Sequence, residues 1–151
     1  MKESDIRPAD LFEEYLRLSA LDVIQFFSSK EDLINRPCPG CGMDEPRKAF
    51  SKNGFQMAVC TSCKTLYANP GPRAEKLEQL YKDSPSQKYW ANTFFPAVSN
   101  ARRKKIFRPR AQKISELIEK YNMPVDKIID VGAGTGVMLE EIRASGIEAN
   151  L

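Results

Sequence analysis

The sequence predicts a mixed α/β fold in which helices and short strands follow one another along 151 residues. Three patterns indicate this fold: helical spacing of apolar residues, a run of short strands with tight turns, and a strand that leads through glycines into a helix. The expected order is N-terminal helices (1–35), a small β module (36–70), a helical linker or lid (71–124) and the first β-α-β portion of a larger sheet domain (125–151).

Composition and charge narrow the class of protein. Apolar residues make up 42% and charged residues 28%, which is typical of a globular protein. A net charge of +3 is too small to indicate general binding to nucleic acid or membranes. The N-terminus does not resemble a secretory signal, and no stretch approaches the roughly 20 apolar residues of a membrane span. A cytoplasmic location is therefore expected.

Two short helices are expected near the N-terminus. Apolar residues recur at helical spacing from Leu11 to Leu18, with Asp10 placed as an N-cap. The tetrapeptide from Ser19 to Asp22 matches a capping box, which predicts the start of a second helix. Apolar stripes of this kind usually pack against a core or a partner, so these helices carry no functional prediction.

Turn signals define the rest of the secondary structure. Asn53-Gly54 predicts a hairpin between strands at 48–51 and 55–60. Pro72 is expected at the first position of a helix that ends before Pro85, because proline suits the first helical position and lacks the N–H that a helix interior needs. Residues 88–107 are expected to be helical in part, and a clearer helix should start at Pro109 and end before proline 124.

Four cysteines form two C-x-x-C pairs, Cys38 with Cys41 and Cys60 with Cys63, separated by residues 42–59. This spacing predicts two turns that direct four thiolates to one tetrahedral zinc ion. Four sulfur ligands leave no position for water or substrate, so the zinc would be structural. The chain contains no histidine, which excludes histidine-ligated zinc and histidine-based catalytic triads.

Other interpretations of the cysteines remain open at this point. Two disulfides or four free thiols would use the same residues, although a reducing compartment disfavours disulfides. Spacing does not distinguish zinc from iron in a rubredoxin-like site. A zinc-ribbon module that binds nucleic acid or protein is the alternative function. For nucleic acid, acidic residues accompany the basic and aromatic ones, so the patch is not markedly basic; these residues are Asp44, Glu45, Arg47, Lys48, Phe50, Lys52 and Phe55.

A glycine-rich turn links the predicted strand 127–131 to the predicted helix 137–144. Gly132, Gly134 and Gly136 permit backbone conformations that other residues avoid, and they let a ligand approach the helix N-terminus. The dehydrogenase fingerprint would place its third glycine where Val137 stands, and the ending of a phosphate-binding P-loop is missing. A tight turn that binds no ligand is the alternative.

The segment IIDVGAGTGVMLEEI resembles the first motif of class I S-adenosylmethionine-dependent methyltransferases, whose cofactor domain is Rossmann-like. With CPGCG, CTSCK, YW and ARRKKIFRPRA, residues 36–151 are similar to methyltransferases that carry an N-terminal zinc ribbon. The resemblance implies a loop against the methionyl part of S-adenosylmethionine, consisting of Asp130, Gly132, Ala133, Gly134, Thr135 and Gly136.

The resemblance further implies an enzyme that transfers the sulfonium methyl group to a small-molecule acceptor, for example an anionic or sugar-linked one. The sequence identifies no catalytic residue. An acidic residue for the ribose hydroxyls is expected roughly 20 residues after the glycines, about where the chain stops. We therefore expect a truncated domain that is inactive alone and binds S-adenosylmethionine weakly or not at all.

A basic segment precedes this motif and consists of Arg102, Arg103, Lys104, Lys105, Arg108 and Arg110. A solvated helix face is the more common explanation of such a charge cluster, and recognition of an anionic substrate or nucleic acid is the alternative. Tyr89 and Trp90 are candidates for a lid over the cofactor. The sequence does not predict an oligomeric state.

Overall fold

The structure is a computed structural model that describes residues 2–150, and it divides into two compact units. The unit Asp10–Thr93 contains the four cysteines and is called the cysteine unit here. The unit formed by Met1–Ala9 and Phe94–Leu151 contains the glycine turn and is called the glycine-loop unit. Helices and small antiparallel sheets are both present, so the mixed character of the predicted fold is confirmed.

The cysteine unit combines helices with two small antiparallel sheets. Its helices are α1 (Ala9–Phe26), α2 (Ala74–Asp83) and α3 (Pro85–Tyr89). Its strands are β1 (Leu33–Ile34), β2 (Pro46–Lys52), β3 (Phe55–Cys60), β4 (Leu66–Ala68) and β5 (Gly71–Pro72). Strands β2, β3 and β4 form one sheet in that order, and β1 pairs with β5 in the other.

The β2–β3 hairpin agrees with the prediction from Asn53-Gly54. Both turn residues have positive φ, 50° and 81°, which is the backbone of a type I′ turn and matches the twist of the strands. Lys52 and Phe55 are the last paired residues, and Pro46 pairs with Cys60 at the other end. The hairpin therefore places Cys60 at the end of a strand, beside the first cysteine pair.

The N-terminal prediction of two helices is wrong, because α1 runs without a break through the expected capping box. The Ser19 hydroxyl donates to the Tyr15 carbonyl at 2.8 Å, so it bonds the preceding turn instead of capping a new one. Asp22 accepts the backbone N–H of Ser86 at 3.1 Å. Asp10 lies inside the helix rather than before it.

Proline 72 also behaves differently from the prediction. It lies in β5, opposite Leu33 in β1, and α2 begins at Ala74 after Arg73. Ser84 ends α2 and its hydroxyl accepts the Gln87 N–H at 3.3 Å, so Pro85 opens the next helix. The preference of proline for the first helical position is therefore met by Pro85 at the start of α3, one helix later than expected.

The glycine-loop unit is mainly helical. Its helices are α4 (Phe95–Arg102), α5 (Arg108–Lys120) and α6 (Val137–Ala144), and a π-helical turn at Arg103–Phe107 joins α4 to α5. A second π-helical turn, Trp90–Phe94, precedes α4 in the chain, and its first four residues belong to the cysteine unit. The buried apolar side chains of this unit are Ile6, Phe94, Val98, Ala111, Val137 and Ile142. The predicted helices at 109 and 137–144 are thus present.

The predicted strand 127–131 is not formed. Among the described residues, Lys127 makes a single parallel bridge with Asn150, supported by the Ile128 N–H donating to the Asn150 carbonyl at 2.9 Å. Strand backbone needs a neighbouring strand along its length, and only Asn150 supplies one within residues 2–150. Ile129 and Val131 consequently remain 75% and 93% exposed.

Candidate metal centre

The four cysteines converge on one point. Their Sγ atoms all lie within 4.8 Å of one another. The sulfurs of Cys38 and Cys63 are 3.5 Å apart, and those of Cys41 and Cys60 are 3.7 Å apart. Four sulfurs placed tetrahedrally at about 2.3 Å from a zinc ion would lie about 3.8 Å apart, so the cluster has the size of a tetrathiolate site.

Each cysteine pair is held by the same backbone pattern. The N–H of Cys38 donates to the Met43 carbonyl at 2.9 Å, and the N–H of Gly42 returns to the Cys38 carbonyl at 2.8 Å. In the second pair, Cys60 and Lys64 take the equivalent positions, at 2.9 and 3.0 Å. Gly42 and Lys64 both have positive φ, 77° and 67°. Two equivalent turns therefore present the sulfurs.

Close packing between the two cysteine turns explains why residue 40 is a glycine. A Cβ added to Gly40 would lie 2.5 Å from the Thr65 Oγ1, well inside contact distance. The same Thr65 hydroxyl lies 3.1 Å from the Cys63 sulfur. Thr65 thus supports the second pair while occupying the space that a side chain at position 40 would need.

The thiols differ in acidity. Hydrogen bonds from the Thr65 hydroxyl and from its backbone N–H lower the pKa of Cys63 to about 6. The Met43 N–H would lower the pKa of Cys41, but the neighbouring Cys63 sulfur and burial raise it to about 12. Four thiolates at this distance repel one another, so all four ionise together only around a cation.

The cluster is half buried. Cys38 and Cys60 are 2% and 0% exposed and pack with Ala58 and Tyr67, whereas Cys41 and Cys63 are exposed. Sulfur atoms form no disulfide within residues 2–150. Burial raises the pKa of the Tyr67 phenol, and the nearby Cys38 adds to this effect. The arrangement is a four-cysteine cluster that could hold a metal such as zinc.

The glycine turn has the backbone that its sequence predicts. Gly132, Gly134 and Gly136 have φ of 82°, 59° and 75°, in the left-handed region that favours glycine. Gly136 is the N-cap of α6, and its N–H donates to the Ala133 carbonyl at 3.0 Å. A Cβ at any of the three glycines would meet no atom within 4 Å, so the outer face of the loop is open.

The other predicted loop residues are close by in the chain and differ in exposure. Asp130 and Ala133 are partly buried, and Thr135 is exposed. Gly146, at the other end of α6, has φ of 88° and follows the C-cap Ser145, as expected of a glycine that ends a helix. The loop is therefore a turn bounded by a regular helix.

Three of the six residues of the basic segment are paired with acidic side chains inside the glycine-loop unit. Arg103 donates to Glu141 at 2.8 Å and also contacts Glu140, while Arg108 donates to Glu141 at 2.9 Å. Lys105 forms an ion pair with Asp5. Arg108 and then Arg103 lower the pKa of Glu141, whose side chain is 5% exposed.

Sequence reasoning missed Glu141 and Thr65. Glu141 lies at an ordinary helical position, and its importance comes from arginines more than 30 positions earlier in the chain. Thr65 follows the second cysteine pair by two residues, so the sequence alone indicates that it lies near that pair.

Trp90, a lid candidate, has its ring 4.9 Å from that of Tyr15 within the cysteine unit.

The fold and the cluster define a helix-and-sheet protein with a four-cysteine site of the kind that binds metals. Comparison with known proteins assigns no family: no family model matches the chain, and no curated protein or solved structure matches it significantly. Among the described residues, no helix is both long and apolar enough to cross a membrane.

Proposed function

We propose that the chain supplies the zinc ribbon and the methionyl-binding loop of an S-adenosylmethionine-dependent methyltransferase. The observation that carries the proposal is the backbone of Gly132, Gly134 and Gly136, which is left-handed at all three glycines and opens directly into α6. Lys127, before the turn, forms a parallel bridge with Asn150, after α6. This bridge supports the proposal because a Rossmann-like domain begins with such a parallel pairing.

The residues of the loop suit the methionyl end of the cofactor. The N-terminus of a helix such as α6 presents backbone N–H groups and the positive end of the helix dipole, which favour the methionine carboxylate. The Asp130 carboxylate would favour the ammonium group. When bound, S-adenosylmethionine supplies a methyl group on a sulfonium, and the chain's own contribution is to bind and orient the methionyl part beside the open face of the glycines.

The zinc ribbon belongs to the same proposal. Two equivalent turns and sulfur separations near those of a tetrahedron favour zinc held by Cys38, Cys41, Cys60 and Cys63 in a structural role. The methyl acceptor is proposed to be a small molecule. A nucleic-acid acceptor is disfavoured because Arg103, Lys105 and Arg108, half of the basic segment, are engaged with carboxylates and contribute less to phosphate binding.

Backbone NMR of the chain titrated with S-adenosylmethionine tests the cofactor assignment. We expect weak binding, with shifts concentrated in residues 130–136 and the first turn of α6. Gly134→Val should abolish these shifts, because the valine backbone would have to keep a positive φ and its side chain would fill the approach to the loop.

The matched control is Gly146→Val, which imposes the same backbone strain at the other end of α6. It should leave the shifts in place. Absence of any shift at millimolar cofactor would refute binding of the methionyl part by this chain alone, and equal binding by the Gly134→Val protein would refute the methyltransferase assignment.

A further inference from the structure

A cavity of about 390 Å³ lies within the cysteine unit. Residues of α1, the β2–β3 hairpin, α2 and α3 line it, and its walls are mainly apolar, including Val23, Phe55, Met57, Leu77 and Leu80. Sites for small molecules have volumes of roughly 300–1,000 Å³ and the same apolar character. The cavity therefore has the size and lining of a ligand site.

One buried carboxylate lines this cavity. Asp22, on α1, is 2% exposed and accepts the Ser86 N–H through Oδ2 at 3.1 Å. Its other oxygen, Oδ1, is buried and has no hydrogen-bond partner among residues 2–150. A carboxylate removed from water with one oxygen unsatisfied is destabilising unless something compensates it.

The surroundings limit what the compensating group can be. A hard divalent cation such as Mg²⁺ or Ca²⁺ needs about six or more oxygen ligands, and one carboxylate in a mainly apolar lining does not provide them. Water alone would have to fill the cavity with about a dozen molecules, at about 30 Å³ each, mostly against apolar walls. A ligand with one hydrogen-bond donor and an apolar body would bond the carboxylate and also pack against the apolar walls.

We propose that this cavity binds a small organic amine whose protonated nitrogen pairs with Asp22 and whose apolar body occupies the space beside Phe55, Met57 and Leu77. A charged donor is favoured over a hydroxyl because only a cation also compensates the buried negative charge of the carboxylate. The site lies within the cysteine unit and stands independently of the methyltransferase proposal.

Two further features refine the ligand class. Tyr15 and Phe55 line the cavity and each belongs to a ring pair, with Trp90 at 4.9 Å and with Phe27 at 5.3 Å, so aromatic walls are held in position. Lys52 also lines the cavity and is exposed, which disfavours a second positive charge on the ligand. An arylalkyl monoamine should therefore bind better than a diamine.

Calorimetry and NMR with 2-phenylethylamine, 2-phenylethanol and 1,4-diaminobutane test this site on the whole chain. We expect 2-phenylethylamine to shift resonances of Val23, Phe55 and Leu77 and to bind at least about tenfold more tightly than the alcohol, a difference that corresponds to about 1.4 kcal/mol. The diamine should bind more weakly than 2-phenylethylamine.

The substitution Asp22→Asn should weaken amine binding by at least about tenfold while keeping an oxygen that can accept the Ser86 N–H. The Asp22→Asn protein should be as thermally stable as the wild type or more so without ligand, because an uncompensated charge is removed. Glu13→Gln, which removes an equal charge from α1 outside the cavity lining, should leave binding unchanged.

Three results would overturn the proposal. These are equal affinity for the amine and the alcohol, unchanged amine binding by a folded Asp22→Asn protein, and absence of cavity shifts with millimolar 2-phenylethylamine.

Discussion

The Nε of Arg108, the first residue of α5, lies 2.9 Å from Oε2 of Glu141 in α6. This contact joins two helices that the glycine turn separates in the sequence. Arg103 binds the other carboxylate oxygen at 2.8 Å, so both oxygens of a nearly buried side chain are engaged. Since α6 begins directly after Gly136, this pair of contacts also holds the helix whose N-terminus forms one side of the loop.

Replacement of Glu141 by Gln should destabilise the glycine-loop unit by about 1–2 kcal/mol, because two arginines lose a charged partner but retain partial access to water. Hydrogen exchange of the α6 amides measures this change in opening free energy. Glu140→Gln is the matched control: its side chain is 57% exposed, and it should cost less than about 1 kcal/mol. Equal effects of the two substitutions would contradict this role for Glu141.

The same contact predicts a pH dependence. Arg108 and Arg103 hold the pKa of Glu141 below its ordinary value of 4.5 in the folded state. The stabilisation should therefore be complete above pH 4.5 and be lost as the pH falls through the lowered pKa. Hydrogen exchange of wild type and Glu141→Gln should show a constant difference from neutral pH to about pH 5 and a shrinking one in more acidic solution. A constant difference throughout would be inconsistent with it.

We predict one equivalent of tetrahedral zinc bound by the four cysteines. Elemental analysis of freshly purified, reduced protein should find it, and cobalt substitution should give the absorption of a tetrahedral thiolate site. Chelation or acid should remove the metal and unfold the turns, since the ligands must be deprotonated. Less than about half an equivalent of any metal, with no structural change on chelation, would disprove the assignment.

The contact between Gly40 and Thr65 predicts a rescue experiment. Gly40→Ala should weaken zinc binding by at least about tenfold, because the new Cβ would collide with the Thr65 Oγ1. Adding Thr65→Ala removes that oxygen and should recover part of the loss. Gly42→Ala is the comparison, since it is strained by a φ of 77° but meets no atom within 4 Å.

Chelator competition gives the zinc affinities of these variants. Thr65→Ala should not improve the Gly42→Ala protein, because strain there comes from the backbone alone. If Thr65→Ala fails to improve the Gly40→Ala protein, the close approach of the two turns is not what requires glycine at position 40.

Binding to nucleic acid should be weak at physiological salt, because Arg103, Lys105 and Arg108 are already paired with carboxylates. Fluorescence anisotropy with labelled single-stranded DNA and RNA over a range of salt concentrations measures this. Submicromolar binding that falls steeply with salt, and that disappears when residues 102–105 are neutralised, would instead favour the nucleic-acid-binding alternative.

The sequence by itself determined the local features of both candidate sites. The paired cysteines, the Asn53-Gly54 hairpin and the left-handed glycine turn before α6 all appear where the sequence predicts them. Each depends on a short run of residues, because ligand spacing, turn conformation and the freedom of glycine are properties of adjacent residues. The assignment to a cofactor remains a prediction from the motif.

Tertiary structure decided the features that join distant residues. Asp22 accepts from Ser86, 64 positions later, and α1 continues through the expected second helix start. Glu141 pairs with Arg103 and Arg108, 38 and 33 positions earlier. The expected strand 127–131 is reduced to one bridge because strand backbone needs a paired neighbour. Burial and partner choice depend on which segments pack together, and local sequence patterns carry little of that information.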